Sequence, residues 1–266
     1  MKTAHKIIKY LAIALAIALI VGILTGIAGI FNGSYSVVSF GGSEVKPEKI
    51  FEGKEDSILY IEIAATKVTV REGDTLSGVT DNEYINVETK DSKLVAYERT
   101  HSVTKNDDTY LDITVPKGVE FDKVVIKTGA GTFEADVISA KDFELEIGAG
   151  EVIINNLLAS VDADIETGAG KVTVNGGVIN NLDAELGVGK VSIRAELLGD
   201  CDVEAGVGEL ELILLGGRDS YKIEAVKGIG VLKIGGEKIA NGTVVGNGDC
   251  FISVEGGIGN IEIEFE

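Results

Sequence analysis

Carboxylates recur in this sequence at a fixed phase. Glu146, Glu166, Glu185 and Glu204 each lie two residues before a Gly-x-Gly triplet, and Glu144, Asp164, Asp183, Asp202 and Glu224 lie four residues before one. If successive triplets stack, each set becomes a file of like charges on one face. Neighbours about 4.8 Å apart repel by roughly 1 kcal/mol in water before salt screening. Nothing in fold formation asks for that arrangement. Such a face attracts divalent cations, basic peptides or polyamines, and repels anionic surfaces. The competing reading is a solubilising face that also blocks lateral association of the sheet. Glu144, Glu146, Asp164, Glu166, Asp183, Glu185, Asp202 and Glu204 form the candidate ligand face.

The triplets that set this phase are Gly129-Ala130-Gly131, Gly148-Ala149-Gly150, Gly168-Ala169-Gly170, Gly187-Val188-Gly189, Gly206-Val207-Gly208, Gly228-Ile229-Gly230 and Gly257-Ile258-Gly259. The first five recur every 19 or 20 residues. A fixed period of that size means one supersecondary unit repeated in a stack. Around each triplet the apolar residues alternate, as in a strand with one buried face. Phe143, Leu145, Ile147 and Ala149 share one parity and Val152 and Ile154 the other, so the chain must kink at the glycines. The central residue grows along the chain from Ala to Val to Ile, which reads as a core that widens or repacks toward the C-terminus.

The predicted fold is all-β: a single-stranded parallel β-solenoid with coils of about 19–20 residues, spanning residues 57–266. Residues 57–116 form irregular first coils and residues 117–266 the glycine repeats. Ile61 to Val70 reads as a degenerate unit, with Ala64 and Thr66 replacing the glycines. Strand candidates follow at Tyr84–Glu88, Leu94–Tyr97 and Leu111–Val115, in a loose first coil expected to act as a cap. The longer spacings after Gly206 predict an inserted loop around Gly235 to Gly248. Cys201 and Cys250 fall on inward parity and read as small buried hydrophobes with free thiols.

The N-terminus predicts an address. Residues 10–31 carry no charge over 22 positions, enough to cross a bilayer as one transmembrane helix. Lys2, Lys6 and Lys9 precede this stretch and no basic residue follows until Lys46, which places residues 1–9 in the cytoplasm as a stub and the remainder outside. A cleaved signal peptide is the rival reading. Ala14, Ala18, Gly22 and Gly26 share one helix face and could pair two anchors into a homodimer. Residues 32–56 form a tether.

Charge and motif content then narrow the function classes. The net charge is −19, and nucleic-acid binding needs the opposite sign. The triplets lack the third glycine and following helix of a dinucleotide fingerprint, and the Asp of calcium-binding nonapeptides. His5 and His101 have no predicted nucleophile partner. No catalytic, cofactor-binding or metal-binding residue is identified. A polysaccharide lyase or hydrolase using carboxylates is the alternative class, but the seven Tyr and eight Phe are scattered rather than gathered into a sugar-stacking cleft.

The run Leu111-Asp-Ile-Thr-Val-Pro116, leading into Val125-Ile-Lys-Thr-Gly-Ala-Gly131, the repeated triplets, and the ending Gly256-Gly-Ile-Gly-Asn-Ile-Glu-Ile-Glu-Phe265 resemble the bacterial putative-adhesin family, also called Toastrack. The resemblance covers about residues 57–266. It implies a right-handed β-solenoid, often membrane-tethered and exposed outside bacterial cells, without a catalytic motif and associated with envelope stress and surface interaction. It supplies no binding residues. The expected function is therefore a non-enzymatic, membrane-anchored extracytoplasmic module that meets an envelope protein, basic peptide or divalent cation through its acidic face.

Overall fold

Inward-facing Val, Ile and Leu at every second position give the chain one apolar face wherever it is extended, and the fold buries that face by winding. The computed structural model describes residues 49–52, 57–90, 93–98 and 109–266. The expected stub, the anchor at residues 10–31, its dimerisation stripe, most of the tether, His5 and His101 lie outside the described residues. Among the described residues no helix is long and apolar enough to cross a membrane. The only helical turn there is a 3-10 turn at Arg218–Ser220.

Strands β1 (Lys49–Glu52), β2 (Ile58–Ile63), β3 (Lys67–Gly73), β4 (Ser77–Thr80), β5 (Ile85–Lys90), β6 (Lys93–Glu98) and β7 (Tyr110–Pro116) build the first part of the stack. The repeats follow as β8 (Phe121–Thr128), β9 (Thr132–Ile147), β10 (Glu151–Thr167), β11 (Lys171–Val174), β12 (Gly177–Asn180), β13 (Leu182–Leu198) and β14 (Asp200–Leu214). The last part is β15 (Tyr221–Ile234), β16 (Glu237–Lys238), β17 (Thr243–Gly246) and β18 (Cys250–Phe265). All belong to one continuous sheet, and the rungs of the repeat region pair in parallel.

Two long faces meet at the glycine corner, and the core lies between them. The face before the corner buries the column Ile61, Ile126, Leu145, Ile165, Ala184, Val203, Val254 and Ala225, each in register with the next. The face after it buries Val70, Ala135, Ile154, Val174, Ile193, Leu212, Ile263 and Ile234 in the same way. Ladders of this kind exclude water along the whole stack. A short third side, built around β12, closes the middle coils. Cys201 and Cys250 are buried free thiols. The Cys250 thiol hydrogen-bonds to Cys201, which holds Cys201 below the ordinary thiol range and, with burial, pushes Cys250 above it.

The structure corrects the sequence reading at the corner. Ala149 does not continue the inward parity. The buried series ends at Ile147, the chain bends at Gly148 and Ala149, and burial resumes at Gly150. The triplet's central residue therefore sits at the apex of the bend and points to solvent. The Ala-to-Val-to-Ile progression is an exposed ridge, and the core does not widen through it. The corner demands glycine because each rung lies directly on the last. A Cβ at Gly148 would overlap the Gly129 carbonyl, and Gly208 (φ 144°) lies in a region open almost only to glycine.

The order of rungs also departs from simple winding. Strand β18 lies between β14 and β15, so the C-terminal strand is inserted beneath the rung that precedes it in sequence. At the other end, β2 and β3 lie between the β6/β7 rung and the β8/β9 rung. The degenerate unit at Ile61 to Val70 is thus interior, and the loose coil that follows it forms the capped end of the stack, as expected. The caps are antiparallel strands. Strand β5 closes β6, β4 and β1 close β7, and the predicted insertion after Gly235 supplies β16 and β17 against β15. Antiparallel caps end the growing edge, which would otherwise template another chain.

Polar side chains finish both ends of the backbone ladder at the corner. Each corner's N–H groups donate toward the N-terminal end, as Ala130 does to Ala64 and Ala149 to Gly129. The first corner has no triplet carbonyl beyond it, and the Glu98 carboxylate accepts from the N–H groups of Ala64 (2.8 Å) and Ala65 (3.2 Å). Buried Asn82 donates to Glu98 and to Thr66 and fixes this arrangement. At the corner of β15, the last rung of the stack, Asn241 donates to the Lys227 carbonyl (2.7 Å), and the Lys227 ammonium donates to the Gly230 carbonyl (2.6 Å). A carboxylate thus meets the free donors, and amide and ammonium groups meet the free acceptors.

Candidate functional site

The corner-preceding face carries all eight predicted carboxylates. Register places Glu146, Glu166, Glu185 and Glu204 in one file, rung by rung. Glu144, Asp164, Asp183 and Asp202 form a second file two residues away along each strand. Glu255 continues the first file beyond Glu204. The sequence held that signal, since Glu255 has the same phase before Gly257, but the reading did not use it. Glu224 does not follow Asp202. The inserted β18 puts Ser253 between them.

Lysines pair with the files at the Glu144 and Glu146 end. Lys127 pairs with Glu146 and with Glu144 (3.2 Å), and Lys123 pairs with Glu144 (2.7 Å). Burial raises the Glu144 pKa, but hydrogen bonds from Lys123 and Lys127 outweigh it and hold the carboxyl below its usual range. Burial likewise opposes the charge on Lys127, and Glu146 and Glu144 reverse this and hold it above the usual lysine range. Farther along, among the described residues, no Lys or Arg forms an ion pair with Asp164, Glu166, Asp183 or Glu185. Partial burial, followed by the charge of Asp183, raises Asp164. Partial burial, followed by Asp164 and Glu146, raises Glu166. Partial burial, followed by Glu204 and Asp183, raises Glu185. These groups resist losing their protons first because partial burial disfavours the charged form and then because their neighbours are acidic.

The face after the corner shows what a solvated charged face looks like in the same fold. Its carboxylates pair with lysines on neighbouring rungs: Lys67 with Glu134 (3.1 Å), Lys171 with Glu151 (2.8 Å), Lys190 with Glu209 (3.4 Å) and Lys233 with Glu262 (3.0 Å). One scaffold and one spacing thus carry a balanced face and an unbalanced one.

The geometry also limits the chemistry. Among the described residues no group of three His, Cys, Asp or Glu side chains converges as a metal site, so any attraction for cations is a diffuse field along the files. The two best-formed hollows, at the Gly208 and Gly259 corners, each hold about 10 Å³, the room of one water. Small-molecule pockets are usually at least about 300 Å³.

Parallel rungs, a glycine corner and antiparallel end caps define a capped all-β solenoid. The chain belongs to the family described as Toastrack DUF4097, whose model matches residues 49–238. Among solved structures it is similar to a putative cell adhesion protein from Clostridium sporogenes ATCC 15579, with 17% identity, 83% of this chain and 99% of the other covered, and a TM-score of 0.42. It is also similar to a putative adhesin from Bacteroides fragilis NCTC 9343, with 15% identity, 83% and 98% covered, and a TM-score of 0.44. A putative lipid binding protein from Parabacteroides distasonis ATCC 8503 shares 12% identity over 81% of this chain and 96% of that one, with a TM-score of 0.34. A comparison with curated proteins finds no match.

Proposed function

We propose that this Toastrack chain is a non-enzymatic interaction module of the cell envelope, adhesin-like or stress-responsive, that engages cationic partners through the carboxylate files. Residues 10–31 anchor it in the membrane as a single pass, the solenoid winds right-handed outside, and the small-residue stripe of the anchor pairs two chains. The observation that carries the binding role is the unbalanced stretch from Asp164 to Glu185, where like charges stack without lysines while the neighbouring face of the same coils is balanced. Such a face is electrostatically unfavourable in the free protein, and a polycation relieves it on binding. The test replaces Asp164, Glu166, Asp183 and Glu185 by their amides and measures binding of oligolysine by fluorescence anisotropy at low salt. The reading predicts at least a tenfold loss. Unchanged binding by a folded variant contradicts it.

A further inference from the structure

Beside the acidic file runs an apolar ridge that the fold does not require. Its residues are the triplet centres, aligned by register in the order Val188, Val207, Ile258 and Ile229. They are 54%, 46%, 53% and 71% exposed, whereas Val, Ile and Leu elsewhere in these rungs are largely buried. Glycines flank each of them, so the four side chains stand above a smooth backbone on both sides. The earlier corners carry Ala130, Ala149 and Ala169 at the same place. The backbone differs there too: the strand breaks at the alanine corners, whereas β13, β14, β15 and β18 run through their triplets with φ 144–150° at the third glycine, so the larger residues belong to the last four rungs alone. Together they expose on the order of 400 Å², comparable to the largest apolar patch of a typical soluble monomer, which is often functional.

We infer that this ridge and the adjoining file form a docking surface for a cationic amphipathic helix lying along the stack axis. The inference rests on the proposed role of the acidic files and adds the partner's shape. Spacing selects a helix. Ridge residues repeat every ~4.8 Å, and the same face of an α-helix repeats every ~5.4 Å. Over the three intervals from Val188 to Ile229 the mismatch is only about 2 Å. A strand repeats its face every ~6.8 Å and would overshoot by about 6 Å. Charge selects cationic flanks. Glu185 and Glu204 lie three residues before Val188 and Val207 in the same strands, so a helix seated on the ridge brings one flank over the file. A second copy of this chain fits poorly. The patch is about half of the ~800 Å² per partner in a standard stable interface, and each copy brings a strongly acidic face beside its ridge. An anionic lipid surface is repelled by the same files.

The experiment compares three probes of equal charge: a Leu/Lys amphipathic helix of about 15 residues, its scrambled isomer without an apolar stripe, and oligolysine. The ridge variant carries V188A, V207A, I229A and I258A, which keeps every corner glycine and truncates only exposed side chains. Wild type is expected to bind the amphipathic peptide at least tenfold more tightly than the scrambled one, with a gain of peptide helicity by circular dichroism. The ridge variant should lose that gap and keep its oligolysine affinity. Equal binding of the two isomers by wild type, a gap that survives in the ridge variant, or a peptide bound without helix gain overturns the inference. Wild type that self-associates while the ridge variant is monomeric also overturns it in favour of a second copy. Loss of the isomer gap with oligolysine binding still dependent on the files leaves the acidic-face reading standing. Oligolysine binding that survives neutralisation of the files sinks that reading separately.

Discussion

Replacing Glu166 with Gln should stabilise this protein. Glu166 stands between Glu146 and Glu185 in its file, with Asp164 two residues back in its own strand. Lys127 already compensates Glu146. The uncompensated neighbours are Glu185, about 5 Å away across the rung, and Asp164, about 7 Å away along the strand. At a dielectric near that of water these two repulsions come to about 1–1.5 kcal/mol, and physiological salt removes part of that. Glutamine keeps the shape of the carboxylate and one acceptor oxygen, and turns the other into an NH2 donor. The net gain is therefore about 0.5–1 kcal/mol, or roughly 1–4 °C in Tm for a domain of this size. The assay is thermal unfolding followed by circular dichroism at neutral pH, in about 20 mM and about 1 M salt. The gain should be largest at low salt and nearly vanish at high salt. A Tm that falls, or a gain indifferent to salt, would refute the reasoning that the file stores repulsion.

Three further outcomes follow from the same structure. Asp164, Glu166 and Glu185 have raised folded-state pKa values, so the native state binds more protons than the unfolded chain just above the ordinary carboxylate range. Stability should therefore rise as pH falls from neutral into that window. It should then decline below the ordinary range as Glu144, whose pKa is lowered, is protonated and loses Lys123 and Lys127. A Tm series across pH checks both limbs, and the rise should flatten in the tetra-amide variant. Gly208→Ala should cost at least about 3 kcal/mol, because a Cβ there overlaps the Gly189 carbonyl at φ 144°. Gly118→Ala, in a turn at φ 71° with open space around it, should cost only about 1 kcal/mol. Urea unfolding compares the two. Glu98→Ala should cost about 1–2 kcal/mol by removing the charged acceptor shared by the exposed Ala64 and Ala65 N–H groups and leaving buried Asn82 with Thr66 and Thr109 alone, with faster amide exchange at Ala64 and Ala65.

Much of this architecture is legible in the chain because a parallel stack copies one register many times. The inward columns from Leu145 and Ile165 onward, the carboxylate files, the degenerate corner at Ala64 and the capping insertion after Gly235 all follow from phase. Phase failed in two places. Parity could be carried from Ile147 to Ala149 because alternation does not reveal where a strand stops, and the glycine bend reverses the side that Ala149 and its equivalents face. Rung order could not be read at either end. Parallel rungs with the same period present nearly identical edges, so β14 can accept β18 or β15 equally well by pattern. Long-range closure decides the order, through the cap that β16 and β17 place on β15. The lysines at positions 123 and 127 were equally hidden, since β8 precedes the first triplet with a different charge pattern. Their pairing with Glu144 and Glu146 is what leaves Asp164 to Glu185 as the unbalanced stretch.

The central claim is that this unbalanced stretch is a binding face rather than a solvated one. Oligolysine titrated into wild type and into the tetra-amide variant at positions 164, 166, 183 and 185 tests it most directly, with an otherwise matched variant neutralised at Glu134, Glu151, Glu209 and Glu262 on the balanced face. The account predicts saturable binding that weakens at least tenfold in the first variant and little in the second. Equal weakening in both variants would mean that net charge alone sets the affinity, and would contradict it.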